Sequence, residues 1–314
     1  MAQKIDAAAN HGIDVFIFDW YYYEEKPFLN RCIDEGFLKA KNTNRLKFSL
    51  MWANHDWIEL FPYKRGTEQK TIYQGAVSTE CYDKICDHLI KDYFTKSNYW
   101  LIDGKAYFSI YDIQKFVESF GSIEATREAM NRFRNKAIAA GLKGVHFNLV
   151  AWYLPVLPVE NPPASIAELI QQLGFDSATS YVWIHHVSLP DVQTDYNKAR
   201  DDFFSYWDKT KKEYKVPYFP NVTMGWDSSP RCDLSDEWGN WGYPFTYTIG
   251  NNTPENFKTA LQMTKDRLLS DPNGPHIMNI NCWNEWTEGS YLEPDTKTGM
   301  AYLEAVKDVF GTKK

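Results

Sequence analysis

The apolar stretch DVFIFDW, residues 14–20, decides the fold class. It combines β-branched and aromatic residues and ends in a polar and an aromatic side chain, which is typical of a buried strand in a parallel sheet. Similar stretches follow along the chain, and longer segments with a helical period separate them. The predicted strands are 14–20, 46–52, 106–112, 144–152, 175–183, 216–226 and 276–283.

The segments between these strands carry helix signals. Helices are predicted at 79–94, 123–141 and 253–270. The last of these begins with Thr253 as the capping residue and Pro254 at the first helical position. Strand–helix alternation without a Pro/Gly/Ser-rich linker predicts an α/β protein with one β/α (TIM) barrel domain over residues 1–314. A doubly wound sheet is the alternative, but no glycine-rich phosphate loop follows the first strand.

The N-terminus does not match a complete barrel. The chain opens with AQKIDAAANHG, residues 2–12, which has the pattern of the first barrel helix without a strand before it. Seven predicted strands leave a gap in the usual barrel of about eight strands. We therefore expect the N-terminus to be truncated, with the first strand missing and a natural reading frame that continues upstream by on the order of 50 residues.

Composition narrows the class of ligand. The net charge of -7 comes from interspersed acidic and basic residues, so no basic stripe for nucleic acid is predicted. The sequence contains no run of about 18 apolar residues, so no membrane span is predicted. The five cysteines lack CxxC and zinc-ligand spacing, so neither a disulfide framework nor a metal site is predicted, and no cofactor is expected. The sequence leaves the oligomeric state and the compartment open.

Aromatic and polar side chains cluster where the predicted strands end. In a β/α barrel this end of the strands carries the active site. Tryptophan and tyrosine faces pack on sugar rings, and Asn, Asp, His and Arg bind hydroxyls, so a carbohydrate substrate is predicted. Core packing is the alternative for each aromatic residue. The predicted substrate-binding residues are Asp19, Trp20, Trp52, Asn54, His55, Tyr111, Trp152, Tyr181, Trp183, Asp227, Arg231, Trp283, Asn284 and Trp286.

Two glutamates follow the last predicted strand, in the stretch NINCWNEWTEGSYLEPD, residues 279–295. Glycosidic cleavage usually needs one carboxylic acid to protonate the leaving oxygen and a second carboxylate as base or nucleophile. Flanking indoles desolvate a glutamate and raise its pKa, as a general acid requires. Glu285 and Glu288 are therefore the predicted catalytic pair. The alternative is that this ExxE spacing only decorates a helix N-terminus.

The motifs together resemble a known family. WNEWTEGSYLEPD, preceded by FDWYYY, LMWANHDW and MGWDSSPR, resembles the glycosyltransferase WbsX-like proteins, which are related to glycoside hydrolase family 99. The resemblance spans essentially the whole chain. It implies a β/α barrel and endo-acting cleavage of α-mannosides without a metal. It also implies that Glu285 deprotonates the 2-hydroxyl of the substrate, that Glu288 is the general acid/base, and that configuration is retained through a 1,2-anhydro sugar.

The functional prediction is a glycoside hydrolase that acts on an α-mannoside-like linkage of a polysaccharide or glycan. A transferase that builds a surface polysaccharide is the second hypothesis, and it needs a diphosphate site. Arg231 and nearby donors are the candidates for that site, and no DxD-type metal motif lies in a suitable loop. A carbohydrate-binding pseudo-enzyme is the third hypothesis, although retention of both glutamates argues against it.

Overall fold

The computed structural model describes residues 1–24, 26–59, 61–157, 159 and 162–311. The strands are β1 (Val15–Tyr22), β2 (Pro27–Phe28), β3 (Lys47–Trp52), β4 (Trp57–Ile58), β5 (Thr71–Tyr73), β6 (Leu101–Ile102), β7 (Lys105–Ile110), β8 (Val145–Val150), β9 (Ser177–Thr179), β10 (Gln193–Asp195), β11 (Tyr218–Phe219), β12 (Asn221–Thr223), β13 (Thr248–Gly250), β14 (Asn279–Asn281), β15 (Asn284–Glu285) and β16 (Ser290–Tyr291).

Helices alternate with the longer strands. They are α1 (Ala2–Ala9), α2 (Thr79–Leu89), α3 (Ile113–Glu118), α4 (Ile123–Ala139), α5 (Ile166–Leu173), α6 (Tyr196–Glu213), α7 (Pro254–Leu269) and α8 (Ala301–Phe310). Short helical turns occupy Cys32–Phe37, Thr43–Arg45, Ile90–Phe94, Trp183–His185, Ser229–Arg231 and Trp286–Glu288. None of the described helices has the length and apolar character needed to cross a membrane.

A parallel sheet forms the centre of the molecule. Strands β1, β3, β7, β8, β9 and β11 pair side by side in chain order, with Trp20 opposite Trp52 in the first pair. β12 follows β11 after Pro220 and pairs in parallel with β14. Proline lacks the N–H that a ladder needs, so the predicted strand 216–226 is divided into two at this residue. Every predicted strand thus overlaps an observed one, although the last four are shorter than predicted.

The sheet curls strongly on itself. β1 and β9 lie four steps apart in the sheet, which would separate them by about 19 Å if the sheet were flat. The Tyr181 hydroxyl beyond β9 nevertheless donates to Asp19 Oδ2 on β1, over 3.2 Å. Phe16 and Trp283 bring the two outer edges together, with ring centroids 5.0 Å apart.

The barrel is open between β1 and β14. In the described part of the chain these two strands make no backbone ladder with each other. Apart from its pairing with β3, β1 pairs with the short β2, and β14 pairs with β12. The predicted β/α (TIM) barrel is therefore found in part, as a curled parallel sheet with helices around it. Closure of the ring is not observed.

Strand alternation separates an apolar outer face from a polar inner one. On β3, Phe48, Leu50 and Trp52 point outward and are buried under the helices. The inner face instead carries a hydrogen-bonded network, in which Asn148 accepts from Ser109 over 3.2 Å and donates to Ser177 over 2.9 Å. Because these buried polar groups satisfy one another, the interior can remain polar at the site end without a large desolvation cost.

Helix ends follow the sequence signals. The Thr253 hydroxyl accepts a hydrogen bond from the Asn256 N–H over 3.3 Å, so the predicted start of α7 is confirmed. α4 ends at Ala139, and Gly141 follows with φ +95, a left-handed conformation that glycine commonly adopts just after a helix. A side-chain cap such as that of Thr253 contributes about 1 kcal/mol to helix stability.

Candidate active site

The end of β1 contributes Asp19 and Tyr21 to the interior. Successive side chains of a strand point to opposite faces, so Asp19 and Tyr21 share the inner face and Trp20 takes the outer one. The Asp19 carboxylate lines the cavity and accepts from the Tyr181 hydroxyl. Burial, followed by the negative charge of Glu285, raises the pKa of Asp19 to about 7.

The two predicted catalytic glutamates lie on the segment after β14. Glu285 ends β15, and Glu288 ends the helical turn Trp286–Glu288. The Asp227 N–H donates to the Glu288 carbonyl over 2.7 Å, which fixes this turn to the segment after β12. Gly289 follows with φ +62, and a Cβ there would lie 2.9 Å from the Asp227 Cβ, so the close approach requires glycine.

Arg231 joins the two glutamates. Its Nη2 donates to Glu285 Oε1, and its Nη1 donates to Glu288 Oε1 over 2.8 Å. The guanidinium also donates through Nε to the Thr287 hydroxyl over 2.8 Å. One planar cation therefore holds both carboxylates at fixed positions, a geometry that a lysine could not reproduce.

Glu288 is the more deeply buried glutamate, with a side chain 9% exposed, compared with 30% for Glu285. The Tyr243 hydroxyl donates to Glu288 Oε1 over 3.0 Å. Burial raises the pKa of Glu288 to about 7 although the Arg231 guanidinium acts in the opposite direction, and the charge of Glu285 raises it further. A carboxyl with this pKa carries its proton for a large fraction of the time at neutral pH.

An aromatic wall stands next to these carboxyls. Tyr111 stacks on Trp152 at 5.5 Å between centroids and meets Tyr181 edge to face at 5.3 Å. His55 lies on the other side of Tyr111, at 5.8 Å. Burial raises the pKa of Tyr111, and the charges of Glu288 and Asp19 add to this effect, because the ring lies among the carboxyls. The structure thus brings His55, Tyr111, Trp152 and Tyr181 together with the acidic cluster.

Three predicted sugar-stacking tryptophans lie in the core instead. Trp20 packs against Tyr22 and is 1% exposed, and Trp52 and Trp183 are fully buried. Trp52 donates its indole N–H to the Tyr22 carbonyl over 3.2 Å, and Trp183 donates to the Asn221 carbonyl over 2.8 Å. The prediction that they bind substrate is corrected, since all three are packed under the outer helices, away from the cleft.

Two predicted polar contacts are occupied by the protein itself. Asn54 donates to the Asp112 carbonyl over 2.7 Å and accepts from the Asp112 N–H over 2.8 Å, which ties the ends of β3 and β7 together. The buried Asn54 is therefore a structural residue, contrary to the prediction. Asp227 accepts from the Ser229 N–H over 3.0 Å in a tight turn, and its carboxylate forms no ion pair with Arg231 in the described residues.

The remaining predicted residues surround the last strand. Trp283 packs at the opening between the sheet edges, where it contacts Phe16. Asn284 is exposed on β15, opposite Tyr291. Trp286 stacks on Tyr291 with 4.1 Å between centroids and is 43% exposed, so its outer face is open at the rim.

Sequence reasoning missed Tyr21 and Tyr243. Tyr21 could have been found by strand alternation, since it shares a face with Asp19. Tyr243 lies in a loop and is 45 residues away from Glu288 in sequence, so no local pattern indicated the contact between them. Phe61 was also missed, and its ring lies 4.6 Å from the Arg231 guanidinium.

A cavity of about 350 Å³ extends below the acidic cluster into the curled sheet. Its lining includes Asp19, Tyr21, Tyr181 and Glu285, together with the polar inner side chains of the sheet. This volume lies within the range of small-molecule sites, which is about 300–1,000 Å³. Within the described residues, no three His, Cys, Asp or Glu side chains are grouped so that they could hold a metal ion.

Two solved structures with a similar fold are described as a glycoside hydrolase and as a glycoside hydrolase-like protein. A GH99 endo-alpha-mannosidase from Bacteroides thetaiotaomicron matches with a TM-score of 0.55 and 15% identity, over 98% of this chain and 77% of that chain. A glycoside hydrolase-like protein matches with a TM-score of 0.61 and 12% identity, over 99% of this chain and 85% of that one. Identities this low support a shared fold alone.

Sequence comparison gives the family. The uncharacterized protein WxcX of Xanthomonas campestris pv. campestris (strain B100) is 23% identical over 318 residues. That alignment takes in 98% of this chain and 40% of WxcX, so the chain spans less than half the length of this relative. The model of the family described as Glycosyltransferase WbsX matches residues 1–306. A match over nearly the whole sequence shows that the chain belongs to the glycosyltransferase WbsX family.

Proposed function

We propose that the chain is a retaining glycoside hydrolase that cleaves an α-mannoside-like linkage of a polysaccharide or glycan. Its family is carbohydrate-active, and its fold is that of glycoside hydrolases. The observation that carries the proposal is the pair Glu285 and Glu288, bridged by one guanidinium beside an aromatic wall. Glycosidases need two such carboxyls with different proton affinities.

Glu288 suits the role of general acid. It is buried, and its pKa of about 7 keeps a proton available at neutral pH. Its Oε1 atom contacts Arg231 and Tyr243, so the rotamer of the carboxyl is fixed before substrate arrives. A fixed donor loses little entropy on reaching the leaving oxygen, which favours proton transfer.

Glu285 suits the role of base toward the 2-hydroxyl of the sugar. In the first step the 2-hydroxyl proton passes to Glu285, O2 attacks C1, and the bond from C1 to the leaving oxygen breaks as Glu288 protonates that oxygen. In the second step water attacks C1 of the 1,2-anhydro sugar and gives a proton to Glu288, the bond from C1 to O2 breaks, and O2 takes its proton back from Glu285. Two inversions at C1 give net retention.

A transferase is the second candidate, because the family is described as a glycosyltransferase family. A sugar-nucleotide donor would need cations for its diphosphate. Arg231 already contacts two carboxylates, so a diphosphate placed there would meet their negative charge. This charge pattern favours a neutral glycan over a nucleotide sugar.

The test is a substrate panel followed by variant kinetics. Mannans, N-glycans and sugar nucleotides are incubated with the protein, and products are identified by mass spectrometry. Release of mannose-containing fragments supports the proposal, and transfer from a sugar nucleotide without hydrolysis would replace it with the second candidate.

Variants then separate the two glutamates. Glu288→Gln should lower kcat/KM by about 10²–10⁴ on natural glycans and less on an aryl mannoside, whose leaving group needs no proton. Glu285→Gln should be impaired on both substrates, and a 2-deoxy analogue should be inert with the unmodified protein. The exposed Glu213→Gln on α6 serves as the control. Turnover of the 2-deoxy compound at a comparable rate would rule out participation of the 2-hydroxyl.

A further inference from the structure

A third carboxyl lies inside the site. Asp19 is on the inner face of β1 and lines the same cavity as Glu285. Its Oδ2 accepts from the Tyr181 hydroxyl over 3.2 Å, and this bond holds the carboxyl toward the cavity. Two of the three acidic groups, Asp19 and Glu285, thus line one cavity, close enough for the charge of Glu285 to act on Asp19.

Charge distinguishes Asp19 from the two glutamates. Arg231 contacts Glu285 and Glu288, whereas the ion pairs of the described residues include none with Asp19. Its surroundings are instead hydroxyls, a thiol and other carboxyls. The titratable groups that face Asp19 are Tyr21, Tyr111, Tyr181, Cys282, Glu285 and Glu288.

These surroundings favour the neutral form of Asp19. Burial and the charge of Glu285 raise the pKa of Asp19 to about 7, and the Tyr181 hydroxyl, which favours the carboxylate, offsets only part of this shift. A neutral carboxyl can donate a hydrogen bond, which a carboxylate cannot do. Near neutral pH, Asp19 is therefore available as a donor in a cavity where Glu285 is an acceptor.

We propose that Asp19 is a third functional carboxyl, which keeps its proton and donates a hydrogen bond to the sugar hydroxyl that Glu285 deprotonates. The inference rests on the proposed hydrolase function. As that hydroxyl loses its proton to Glu285, negative charge develops on its oxygen, and a donor placed there stabilises the transition state. An ionised Asp19 would repel the same charge. Asp19 itself gives up no proton in the reaction.

The pH profile tests this role. Two groups, Asp19 and Glu288, must then be protonated, so log(kcat/KM) of the unmodified protein should fall above neutral pH with a slope approaching about -2. Asp19→Asn keeps a permanent donor of the same shape. Its kcat/KM at pH 6 should stay within about tenfold of the unmodified protein, and its slope should approach about -1. Asp19→Leu has no donor and should lose about 10²–10³ in kcat/KM at all pH values.

A variant of Tyr181 provides a second test, in which the alkaline fall in activity should shift to higher pH. Its hydroxyl favours the ionised form of Asp19, so Tyr181→Phe should raise the pKa of Asp19 and move the alkaline fall in activity to higher pH. The matched control is Tyr153→Phe, because Tyr153 donates to Asp112 over the same 3.2 Å outside the cavity. If Tyr181 had a purely structural role, its replacement would not move the alkaline fall in activity to higher pH.

The outcomes separate this inference from the function on which it rests. Absence of hydrolysis on the whole panel overturns both. Hydrolysis together with an unchanged slope in Asp19→Asn, or with equal losses in the Asn and Leu variants, overturns the role of Asp19 alone. A slope that changes from about -2 to -1, with the upward shift in Tyr181→Phe and none in Tyr153→Phe, supports it.

Discussion

Replacing Glu288 by Gln removes the charge of the more deeply buried glutamate and should stabilise the folded chain at alkaline pH. Burial raises the pKa of Glu288 from 4.5 to about 7. Ionising this group therefore costs more in the folded protein than in the unfolded chain. Gln has nearly the same shape as protonated Glu and never ionises, so the variant avoids that cost while it loses the general acid.

The magnitude follows from the pKa shift. A rise from 4.5 to about 7 corresponds to about 3 kcal/mol, at 1.36 kcal/mol per unit. Because the pKa is raised in the folded state, this stability is fully present below about pH 4 and is lost as the pH rises through about 7. With an unfolding entropy of about 2.1 cal/mol/K per residue over 314 residues, Glu288→Gln should gain about 5 °C in Tm at pH 8.5.

Differential scanning calorimetry at pH 4 and pH 8.5 measures both values. The difference in Tm between Glu288→Gln and the unmodified protein should be close to zero at pH 4 and about 5 °C at pH 8.5. Glu213→Gln, on the exposed surface of α6, is the control and should show no such dependence. A variant that is less stable at pH 8.5, or equally shifted at both pH values, would refute the account of Glu288 as a buried acid with a raised pKa.

Two further predictions address the surroundings of the glutamates. Arg231→Gln removes the cation that lowers the pKa of Glu288, so the alkaline fall in kcat/KM should move to higher pH, as a pH profile would reveal. Trp286→Ala should weaken binding of mannose oligosaccharides at least tenfold, about 1.4 kcal/mol, measured by titration calorimetry. Trp183→Phe, in the core, should lower Tm without changing that Kd. Equal Kd values for Trp286→Ala and the unmodified protein would remove the rim from the binding surface.

Local pattern was sufficient to locate the main elements. The stretch 14–20 predicted β1 because β-branched and aromatic residues fill a buried strand, and Thr253 with Pro254 predicted the start of α7. Strand ends were less predictable, since Pro220 divides one predicted strand into two. The count of seven strands indicated a gap in the ring, but the partners of each strand could not be read from local pattern, because pairing between distant strands leaves no periodic mark in either of them.

The tryptophans show how site prediction failed. Position at the end of a strand is shared by inward and outward side chains, and only alternation from a fixed neighbour distinguishes them. With Asp19 pointing inward, Trp20 had to point outward, where it packs against Tyr22. Trp52, opposite Trp20 in the ladder, takes the same outer face. Applying this rule strand by strand would have replaced Trp20 with Tyr21.

The contacts of Arg231 lay beyond any local pattern. It is separated from Glu285 by 54 residues and from Glu288 by 57, so their meeting depends on how β12 and β14 pair. The sequence placed all three residues at strand ends, but it did not indicate which carboxylates the guanidinium would contact. In the structure the guanidinium turns to the glutamates, while the Asp227 carboxylate accepts a backbone N–H.

Charge balance explains why three similar carboxyls can take different roles. Among the ion pairs of the described residues, Arg231 supplies the positive charge of the cluster formed by Asp19, Glu285 and Glu288, and it contacts the two glutamates directly. Each additional negative charge in a partly desolvated site costs several kcal/mol at an effective dielectric constant of about 20, so successive ionisations are pushed to higher pH. Hydrolysis through the 2-hydroxyl needs one carboxylate to accept a proton and one carboxylic acid to give one. With one guanidinium among three carboxyls, the position of each carboxyl decides whether it is ionised, so a carboxylate and a carboxylic acid can be present at the same pH.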